Sequence, residues 1–384
     1  MNINIYGSTG QIGRKTLKLI KSKFPKIKVN LLCANSNVNL LLKQINSFKP
    51  NYVYLNNPLS SEKLKLQIRS KTKVLSYEDL NFYLRNSKSD FSILAISGYK
   101  SLYFLDQIVR NTNNLGIVSK EAIVSAGHIF TKKKYFTKTK IFPLDSEHYS
   151  LYEYFNSQIS KKNFKNITIT ASGGPFYKKK FSSLKNITFN QAIKHPKWKM
   201  GYKNSIDSAT LVNKCLEIIE VHYLFNIPFD KIKIIIHPEA LVHSIIEKDN
   251  YVTNLNLFKN DMNIPINNFL MLSNTHTLNK LVELSLSRYS QLKFNEVNYD
   301  NFPIYKYFNN MDLYDPSLLI RFNVGNEYAV NLFKNKLIKY TEILKIIKKV
   351  CSLDLKYRLN TIKDIIKYHE DLEKLIKIKF NYNT

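Results

Sequence analysis

Two carboxylates, Asp145 and Glu147, stand two residues apart directly after an apolar run, residues 141–144, that predicts a strand. Because residues i and i+2 of an extended segment point the same way, these side chains are expected to lie side by side. Neighbouring carboxylates repel unless a cation lies between them, and hard oxygen ligands suit Mg²⁺ or Mn²⁺. The alternative is a solvated acidic pair at a helix N-terminus, where carboxylates are favourable without a metal. The pair alone leaves both interpretations open.

A helical pattern over residues 208–225 supplies a third carboxylate, Glu217. Asn213 lies four residues before it and shares its helix face, with Lys214 beside them. The rest of this helix is rich in apolar residues, so a buried lysine and glutamate need partners, which a metal and an anionic substrate would provide. An internal Lys214–Glu217 ion pair is the alternative, and Ser208 could simply be the helix N-cap.

A glycine loop, residues 7–13 (Gly-Ser-Thr-Gly-Gln-Ile-Gly), lies between a predicted strand and a predicted helix. Glycines three residues apart let the backbone turn tightly and approach a pyrophosphate at the helix N-terminus. We therefore predict a dinucleotide site here rather than an ordinary strand-to-helix turn. The missing Gly-Lys-Ser/Thr ending disfavours a nucleoside-triphosphate phosphate loop.

The residues after the second predicted strand should contact the adenine ribose of that dinucleotide. Here they are Ala34, Asn35, Ser36 and Asn37. No acid stands there to bind the 2′-hydroxyl of NAD, which favours NADP. No lysine or arginine stands there to hold a 2′-phosphate either, so this preference is slight.

Two further segments carry residues that suit anions. Residues 172–175 (Ser-Gly-Gly-Pro) form a second glycine turn, able to present backbone N–H groups to an anion. Residues 195–201 (His-Pro-Lys-Trp-Lys-Met-Gly) hold Trp198, the only tryptophan, which predicts a lid with an aromatic cover, or alternatively simple packing. His243, in an apolar strand, is as consistent with a core histidine as with a site residue.

The elements that position these residues change type along the chain. The first ~150 residues alternate short apolar runs with helical patterns, as βαβ units of a parallel sheet do. Residues 271–300 are polar and weakly patterned, and the C-terminal part has the periodicity of a small helical bundle. The predicted strands are 2–6, 27–33, 51–55, 91–96, 116–119, 141–144, 167–170, 232–236, 241–246 and 251–258, and the predicted helices are 11–23, 38–48, one from 120, 148–158 and 208–225.

These patterns predict an α/β protein of three domains. They are an N-terminal Rossmann-like parallel-sheet domain for the dinucleotide (1–147), a central α+β domain expected to be catalytic and to bind metal and substrate (148–270), and a C-terminal helical domain (301–384). A connector (271–300) precedes the last domain, and the central domain contains a flexible loop, residues 195–207.

The net charge of +29, from 58 basic and 29 acidic residues, raises the question of a nucleic-acid partner. The lysines are scattered from end to end and no segment looks like a nucleic-acid-binding module, so a biased composition is the better interpretation. No run approaches the ~18 apolar residues of a membrane span. The three distant cysteines and the absent secretory leader predict a bacterial cytoplasmic protein, with a processed organellar form as the alternative.

Taken together and in order, these segments resemble the 1-deoxy-D-xylulose 5-phosphate reductoisomerase family. Any one motif is weak, but the ordered set is specific and covers nearly the whole chain. The match runs through residues 7–13, 119–121, 144–148, 171–176, 195–201, 207–210, 213–217, 236–238, 243–244, 261–262 with 265–266, and 326–327.

The resemblance implies the rearrangement and NADPH-dependent reduction of 1-deoxy-D-xylulose 5-phosphate to 2-C-methyl-D-erythritol 4-phosphate, in isoprenoid precursor biosynthesis, by a homodimer. It implies Mg²⁺ or Mn²⁺ on Asp145, Glu147 and Glu217, with Lys120 as a further catalytic residue. The implied substrate-binding residues are Lys120, Ser146, Glu147, Ser172, His195, Ser208, Asn213, Lys214 and Glu217. The implied cofactor-binding residues are Thr9, Gly10, Gln11, Ile12, Asn35, Ser36, Asn37, Ser119, Glu121 and Gly201. Trp198 and Met200 would belong to the closing loop.

Some positions depart from the family pattern. The family usually has Gly-Lys-Asn at residues 35–37, and that lysine is expected to favour NADPH over NADH; this chain has Ser36. Ser119 replaces the usual asparagine. The alternatives are another metal-dependent NAD(P) dehydrogenase, which would not need three carboxylates, a basic nucleic-acid-binding protein, which would cluster its charge on one face, and an inactive relative.

Overall fold

The computed structural model describes residues 1–131, 138–157, 164–197, 201–274 and 284–380. The chain folds into two compact units, each assembled from separate segments. The first unit contains Met1–Ser119, Lys132–Tyr152 and Asp261–Glu283, and the second contains Lys120–Thr131, Glu153–Asn260 and Leu284–Thr384. The three domain ranges expected from the sequence stay a prediction.

The first unit is built on a wholly parallel sheet, which confirms the predicted α/β class. Its strands are β1 (Asn2–Tyr6), β2 (Lys28–Ala34), β3 (Tyr52–Leu55), β4 (Lys73–Val74), β5 (Ser89–Leu94), β6 (Thr112–Ile117) and β7 (Lys140–Pro143), in the order β4-β3-β2-β1-β5-β6-β7. The order reverses between β1 and β5, and ligands of such sheets bind beyond the carboxyl ends of the strands at that point.

Helices cover this sheet, so its central strands are apolar almost throughout, as buried parallel strands usually are. Ile3, Ile5, Leu31 and Ile93, on three neighbouring strands, are all fully buried. The helices are α1 (Gln11–Lys23), α2 (Val38–Phe48), α3 (Pro58–Gln67), α4 (Tyr77–Asn86) and α5 (Leu102–Asn111), with the later helix Asn263–Met271 joining them. The sequence patterns did not reveal α3, α4 or α5.

The second unit combines a small mixed sheet with most of the remaining helices. Its strands are β8 (Asn166–Ala171), β9 (Ile232–Ile236), β10 (Val242–Glu247) and β11 (Thr253–Leu257), in the order β11-β10-β8-β9, with only β8 and β9 parallel. In chain order the remaining helices are α6 (Lys120–Phe130), α7 (Ser146–Ser157), which contains the boundary between the units, α8 (Phe189–Ala192), α9 (Tyr202–Ala209), α10 (Val212–Phe225), α11 (Asn263–Met271, of the first unit), α12 (Pro303–Asn309), α13 (Pro316–Lys334), α14 (Ile343–Cys351) and α15 (Ile362–Phe380).

The predicted single helix over residues 208–225 is wrong. It is divided into α9 and α10 at Leu211, whose backbone is left-handed with a φ of 65°. Thr210 is the C-cap residue of α9 and donates its hydroxyl to the carbonyl of Ile206, at 3.0 Å. Residues 202–207, expected in a loop, are therefore helical, and Ser208 lies inside α9 instead of capping the long helix.

Within the described residues, no helix is both long and apolar enough to cross a membrane.

Candidate active site

The glycine loop has the tight backbone that a dinucleotide site requires. Gly7 has a φ of +94°, and a Cβ built on it would lie 2.3 Å from the carbonyl oxygen of Ala95 on the neighbouring strand end. A Cβ on Gly13 would lie 2.5 Å from the carbonyl oxygen of Gly7. Helix α1 begins after Gly10, which has no side chain to cap the first-turn N–H groups. Such an N-terminus favours a phosphate.

A cavity of about 570 Å³ opens beside this loop in the first unit. It contains three of the expected cofactor residues, Thr9, Gly10 and Asn35. The expected residues Gln11 and Ile12 lie in the first turn of α1. The rest of its lining is Gly7, Cys33, Ala34, Tyr54, Asn56, Tyr77, Ala95, Ile96, Ser97, Lys100, Tyr103 and Phe104.

Sequence reasoning missed the aromatic side of this cavity. Tyr54 lies near the end of β3. Tyr103 and Phe104 belong to α5, a helix that the sequence patterns had not revealed. Burial raises the pKa of Tyr54 to about 12, so its phenol stays neutral. The capping box of α4, Ser76 with Asp79, was a local signal that could have placed Tyr77 at a helix start.

The other expected cofactor residues are not among the residues that line the cavity. Asn37 caps α2 by accepting a hydrogen bond from the backbone N–H of Leu40 at 3.1 Å, next to an exposed Ser36. Ser119 is buried and donates its hydroxyl to the carbonyl of Ile96, which lines the cavity. Gly201 is the N-cap residue of α9 in the second unit.

Asp145 and Glu147 occupy the start of α7. One oxygen of Asp145 accepts the backbone N–H of Glu147 at 3.2 Å and lies 3.0 Å from Nδ1 of His148. Ser146 donates its hydroxyl to Glu147 at 2.5 Å. Asp145 therefore caps the helix, as the metal-free interpretation expected, while both carboxylates remain close together at one helix end.

Glu217, on α10, is buried and surrounded by donors. Its carboxylate lies 2.6 Å from Nζ of Lys214 and 3.1 Å from Nζ of Lys120, and Asn213 donates its amide to it. Lys120 is also 3.4 Å from Glu220. The internal Lys214–Glu217 pair expected as one alternative is present. Two lysines and two glutamates thus balance one another in a setting where an unpaired charge would be costly.

Two serine side chains from separate segments meet at His195. Its Nε2 lies 3.0 Å from the hydroxyl of Ser172, after β8, and 3.1 Å from the hydroxyl of Ser208, on α9. Gly174 permits this approach, because a Cβ there would lie 2.9 Å from the backbone of Ala209. Trp198 and Met200 lie outside the described residues.

His195 is held in its neutral form. Burial lowers its pKa to about 4, and the charge of Lys214 acts in the same direction. Its Nδ1 accepts the backbone N–H of Lys197 at 3.1 Å, so Nε2 carries the proton and donates it towards the serine hydroxyls. The hydroxyl protons are then available for an anion, beside a buried cation, Lys214.

A buried ion network lies on α9, α6 and α13 of the second unit, and sequence reasoning did not identify it. Lys203 on α9 is 2.8 Å from Asp207 and 3.6 Å from Glu121. Asn326 on α13 donates to Asp207 at 2.8 Å, and burial raises the pKa of its neighbour Glu327 to about 7. Glu121, expected to contact the cofactor, is thus engaged with Lys203. The network fastens α9 to α13 and α6.

His243 occupies a core position. It is buried, its ring stacks on Phe258 with centroids 4.0 Å apart, and its Nε2 lies 3.2 Å from the carbonyl oxygen of Phe258. These contacts support the core interpretation of this residue over a role in the site.

Three family models match successive parts of the chain. Residues 3–127 match the model described as 1-deoxy-D-xylulose 5-phosphate reductoisomerase, and residues 141–225 match the model of that enzyme's C-terminal domain. Residues 257–375 match a further model, described as the DXP reductoisomerase C-terminal domain.

Individual proteins are similar over almost the full length. A protein of Pelagibacter ubique (strain HTCC1062) named 1-deoxy-D-xylulose 5-phosphate reductoisomerase is 35% identical, covering 91% of this chain and 90% of that protein. A solved DOX-P reductoisomerase in complex with NADPH, fosmidomycin and magnesium has a TM-score of 0.89 at 28% identity, covering 99% of this chain and 98% of the other. The Zymomonas mobilis reductoisomerase in complex with NADPH has a TM-score of 0.84 at 26% identity, covering 97% of both chains.

Proposed function

This chain belongs to the 1-deoxy-D-xylulose 5-phosphate reductoisomerase family, and we propose that its glycine loop, its three carboxylates and the serine–histidine cluster carry that family's reaction. The enzyme rearranges 1-deoxy-D-xylulose 5-phosphate and reduces the product to 2-C-methyl-D-erythritol 4-phosphate, a step of isoprenoid precursor biosynthesis. It is an NADPH-dependent oxidoreductase that requires a divalent metal.

The phosphate of the substrate is assigned to the cluster around His195. Two serine hydroxyls, on Ser172 and Ser208, converge on a neutral imidazole, and the buried Lys214 supplies positive charge. This convergence is the observation that carries the assignment, because a phosphate needs hydroxyl donors and a cation, and desolvation strengthens both. Asn213, four residues before Glu217, completes the set.

The metal is assigned to Asp145, Glu147 and Glu217, whose donors are all carboxylate oxygens and therefore suit Mg²⁺ or Mn²⁺. Such an ion, when bound, stabilises negative charge on substrate oxygens. Lys120 and Lys214 place positive charge beside Glu217, since Nζ of each lies within 3.1 Å of its carboxylate. Lys120 and Ser146 are assigned to the substrate beside the carboxylates.

The cofactor is assigned to the cavity beside the glycine loop, whose tight turn needs a glycine at position 7 because a Cβ there would lie 2.3 Å from the carbonyl oxygen of Ala95. NADPH supplies the hydride that reduces the rearranged aldehyde. The protein would bind the pyrophosphate at the N-terminus of α1 and the adenosine at the residues that follow β2. The residues assigned to it are Thr9, Gly10, Gln11, Ile12, Asn35, Ser36, Asn37, Ser119, Glu121 and Gly201.

The assignment of Glu217 is tested with Glu217→Gln, which keeps the shape but removes the charge. We expect kcat for NADPH oxidation with 1-deoxy-D-xylulose 5-phosphate and Mn²⁺ to fall at least about 100-fold, as for other lost electrostatic groups. NADPH binding, followed by its fluorescence, should be unchanged. Activity within a few-fold of wild type would remove Glu217 from the metal site. A folded wild-type protein without turnover at any divalent metal would contradict the function itself.

We also propose that the enzyme works as a homodimer in the bacterial cytoplasm. Strand β11 is an edge of the small sheet among the described strands, and it exposes Leu255 beside Tyr251 and Val252. An apolar strand edge of this kind invites pairing with another chain. The bacterial relatives support the compartment.

A further inference from the structure

The ribose end of the cofactor site lacks the basic residue that NADPH requires. Its 2′-phosphate is commonly met by an arginine or lysine near the end of the second strand of such a domain. Here β2 ends at Ala34 and is followed by the uncharged Asn35, Ser36 and Asn37. The segment after β2 therefore supplies no basic side chain to the 2′-phosphate, and a basic residue from another part of the fold would be needed to balance its charge.

The cavity beside the glycine loop contains a candidate. Among the described residues that line it, Lys100 is the only one with a positive charge. The other lining residues are glycines, small or aliphatic residues, asparagines and four aromatic residues. Lys100 is exposed, so its ammonium group is accessible to a ligand in this cavity.

The turn that carries Lys100 is held firmly. Gly98 has a φ of +78°, and its carbonyl accepts the backbone N–H of Ser101 at 3.2 Å and the Ser101 hydroxyl at 2.9 Å. Tyr99 and Ser101, on either side of Lys100, are both buried. The backbone at Lys100 is thus anchored on both sides, and Lys100 is one of the residues that line the cavity.

The strand order places this turn and the ribose end on the two sides of the glycine loop. Strand β1 pairs with β2 on one side and with β5 on the other, so the residues after both strands flank the glycine loop. Gly7 donates its backbone N–H to Cys33 at 2.9 Å, and Ala95 donates to Tyr6 at 2.8 Å. Asn35 and Lys100 line the same cavity.

We propose that Lys100 binds the 2′-phosphate of the cofactor and so determines the preference for NADPH over NADH. This inference rests on the proposed assignment of the cavity to the cofactor. The lysine acts from the turn after β5, where sequence reasoning had looked only at the end of β2.

The test is Lys100→Gln, with Lys88→Gln as the matched control. Lys88 is an exposed lysine of the same unit, next to the opposite end of β5. Dissociation constants of 2′,5′-ADP and of ADP are measured by calorimetry, since these probes differ in the 2′-phosphate. Lys100→Gln should weaken 2′,5′-ADP about 10- to 100-fold, as loss of a charge-assisted hydrogen bond does, and change ADP less than about threefold. Lys88→Gln should change neither.

Two rescue variants sharpen the result. Lys100→Arg should retain most 2′,5′-ADP affinity, and Ser36→Lys added to Lys100→Gln should restore it. An unchanged 2′,5′-ADP affinity in Lys100→Gln, or an equal loss for both probes, would overturn the proposal. Wild-type protein that prefers 2′,5′-ADP but does not turn over 1-deoxy-D-xylulose 5-phosphate would contradict the proposed function while leaving the role of Lys100 intact.

Discussion

At the scale of single residues, burial decides what the side chains of the proposed phosphate cluster, Ser172, His195, Ser208 and Lys214, can do. His195 would titrate near pH 6.5 in water, but burial lowers its pKa to about 4. It therefore orients hydroxyl groups and adds no charge. The positive charge comes from Lys214, a buried lysine whose Nζ lies 2.6 Å from the carboxylate of Glu217. Position and charge are thus supplied by different residues.

Ser208→Ala tests the phosphate cluster. The variant removes one hydroxyl donor to a charged group, a contact worth about 1.5–3 kcal/mol. KM for 1-deoxy-D-xylulose 5-phosphate should rise about 10- to 100-fold, while KM for NADPH stays within twofold. Ser182→Ala, at an exposed serine of the same unit, is the control and should leave both values unchanged. A rise in KM for NADPH alone would place Ser208 at the cofactor instead.

At the scale of elements, the proposed site depends on α15, a helix that contributes no residue to it. Helix α6 begins at Lys120 and is held from behind by α15, where Nε2 of His369 lies 2.9 Å from the hydroxyl of Ser125. Both residues are fully buried. Burial lowers the pKa of His369 to about 3. The docking of α15 is therefore sensitive to acid.

We expect a pH-dependent stability from His369. In the unfolded chain the imidazole of His369 takes up a proton near pH 6.5, but in the folded chain only near pH 3. Its contribution to the free energy of unfolding is therefore at its maximum above about pH 6.5 and declines as the pH falls. Between these two pH values, the free energy of unfolding falls by about 1.4 kcal/mol for each pH unit. Urea unfolding at pH 7 and pH 5 should show a smaller pH difference for His369→Gln than for wild type.

Ser125→Ala is the matched control for that measurement. It removes the partner of His369 without removing a titratable group, so it should lower stability at both pH values and keep the wild-type pH difference. If His369→Gln keeps the wild-type pH difference as well, another group is responsible for the acid sensitivity.

At the scale of the whole molecule, the edge strand β11 raises the question of assembly. Leu255 is 42% exposed in the middle of that strand, and an unpaired apolar edge is normally covered or charged. Light scattering after size exclusion should give a mass of twice the 45.0 kDa of one chain. Leu255→Lys should shift this mass towards the monomer, because the lysine would have to be buried.

Leu59→Lys is the control for assembly. Leu59 is 83% exposed on α3 of the first unit, so a lysine there should leave the mass unchanged. A wild-type mass of one chain at micromolar concentration would contradict the proposed dimer, and an unchanged mass for Leu255→Lys would place the interface elsewhere.

Much of the fold follows from local signals in the sequence. Strand β1, helix α1 and the glycine loop between them were predicted at residues 2–6, 11–23 and 7–13, and the first two bounds are confirmed. A period of two or 3.6 residues and the freedom of glycine are properties of a few neighbouring residues, so they can be recognised without the fold. The three-carboxylate set and the phosphate residues were named from ordered motifs and stay predictions.

Other features depend on residues far apart in the chain. Leu211 breaks a helix that its apolar pattern would continue, where Asp207 is bound by Lys203 and by Asn326, 119 residues away. Lys100 carries no motif and becomes a candidate only because β5 pairs with β1 beside the glycine loop.

The sequence by itself thus determined the kind of chemistry and the elements that carry it, because these depend on residue type and local spacing. Only the tertiary structure decided which side chains share a cavity, which charges are buried and neutralised, and where a helix stops. Those outcomes depend on desolvation and on partners that the chain brings together when it folds.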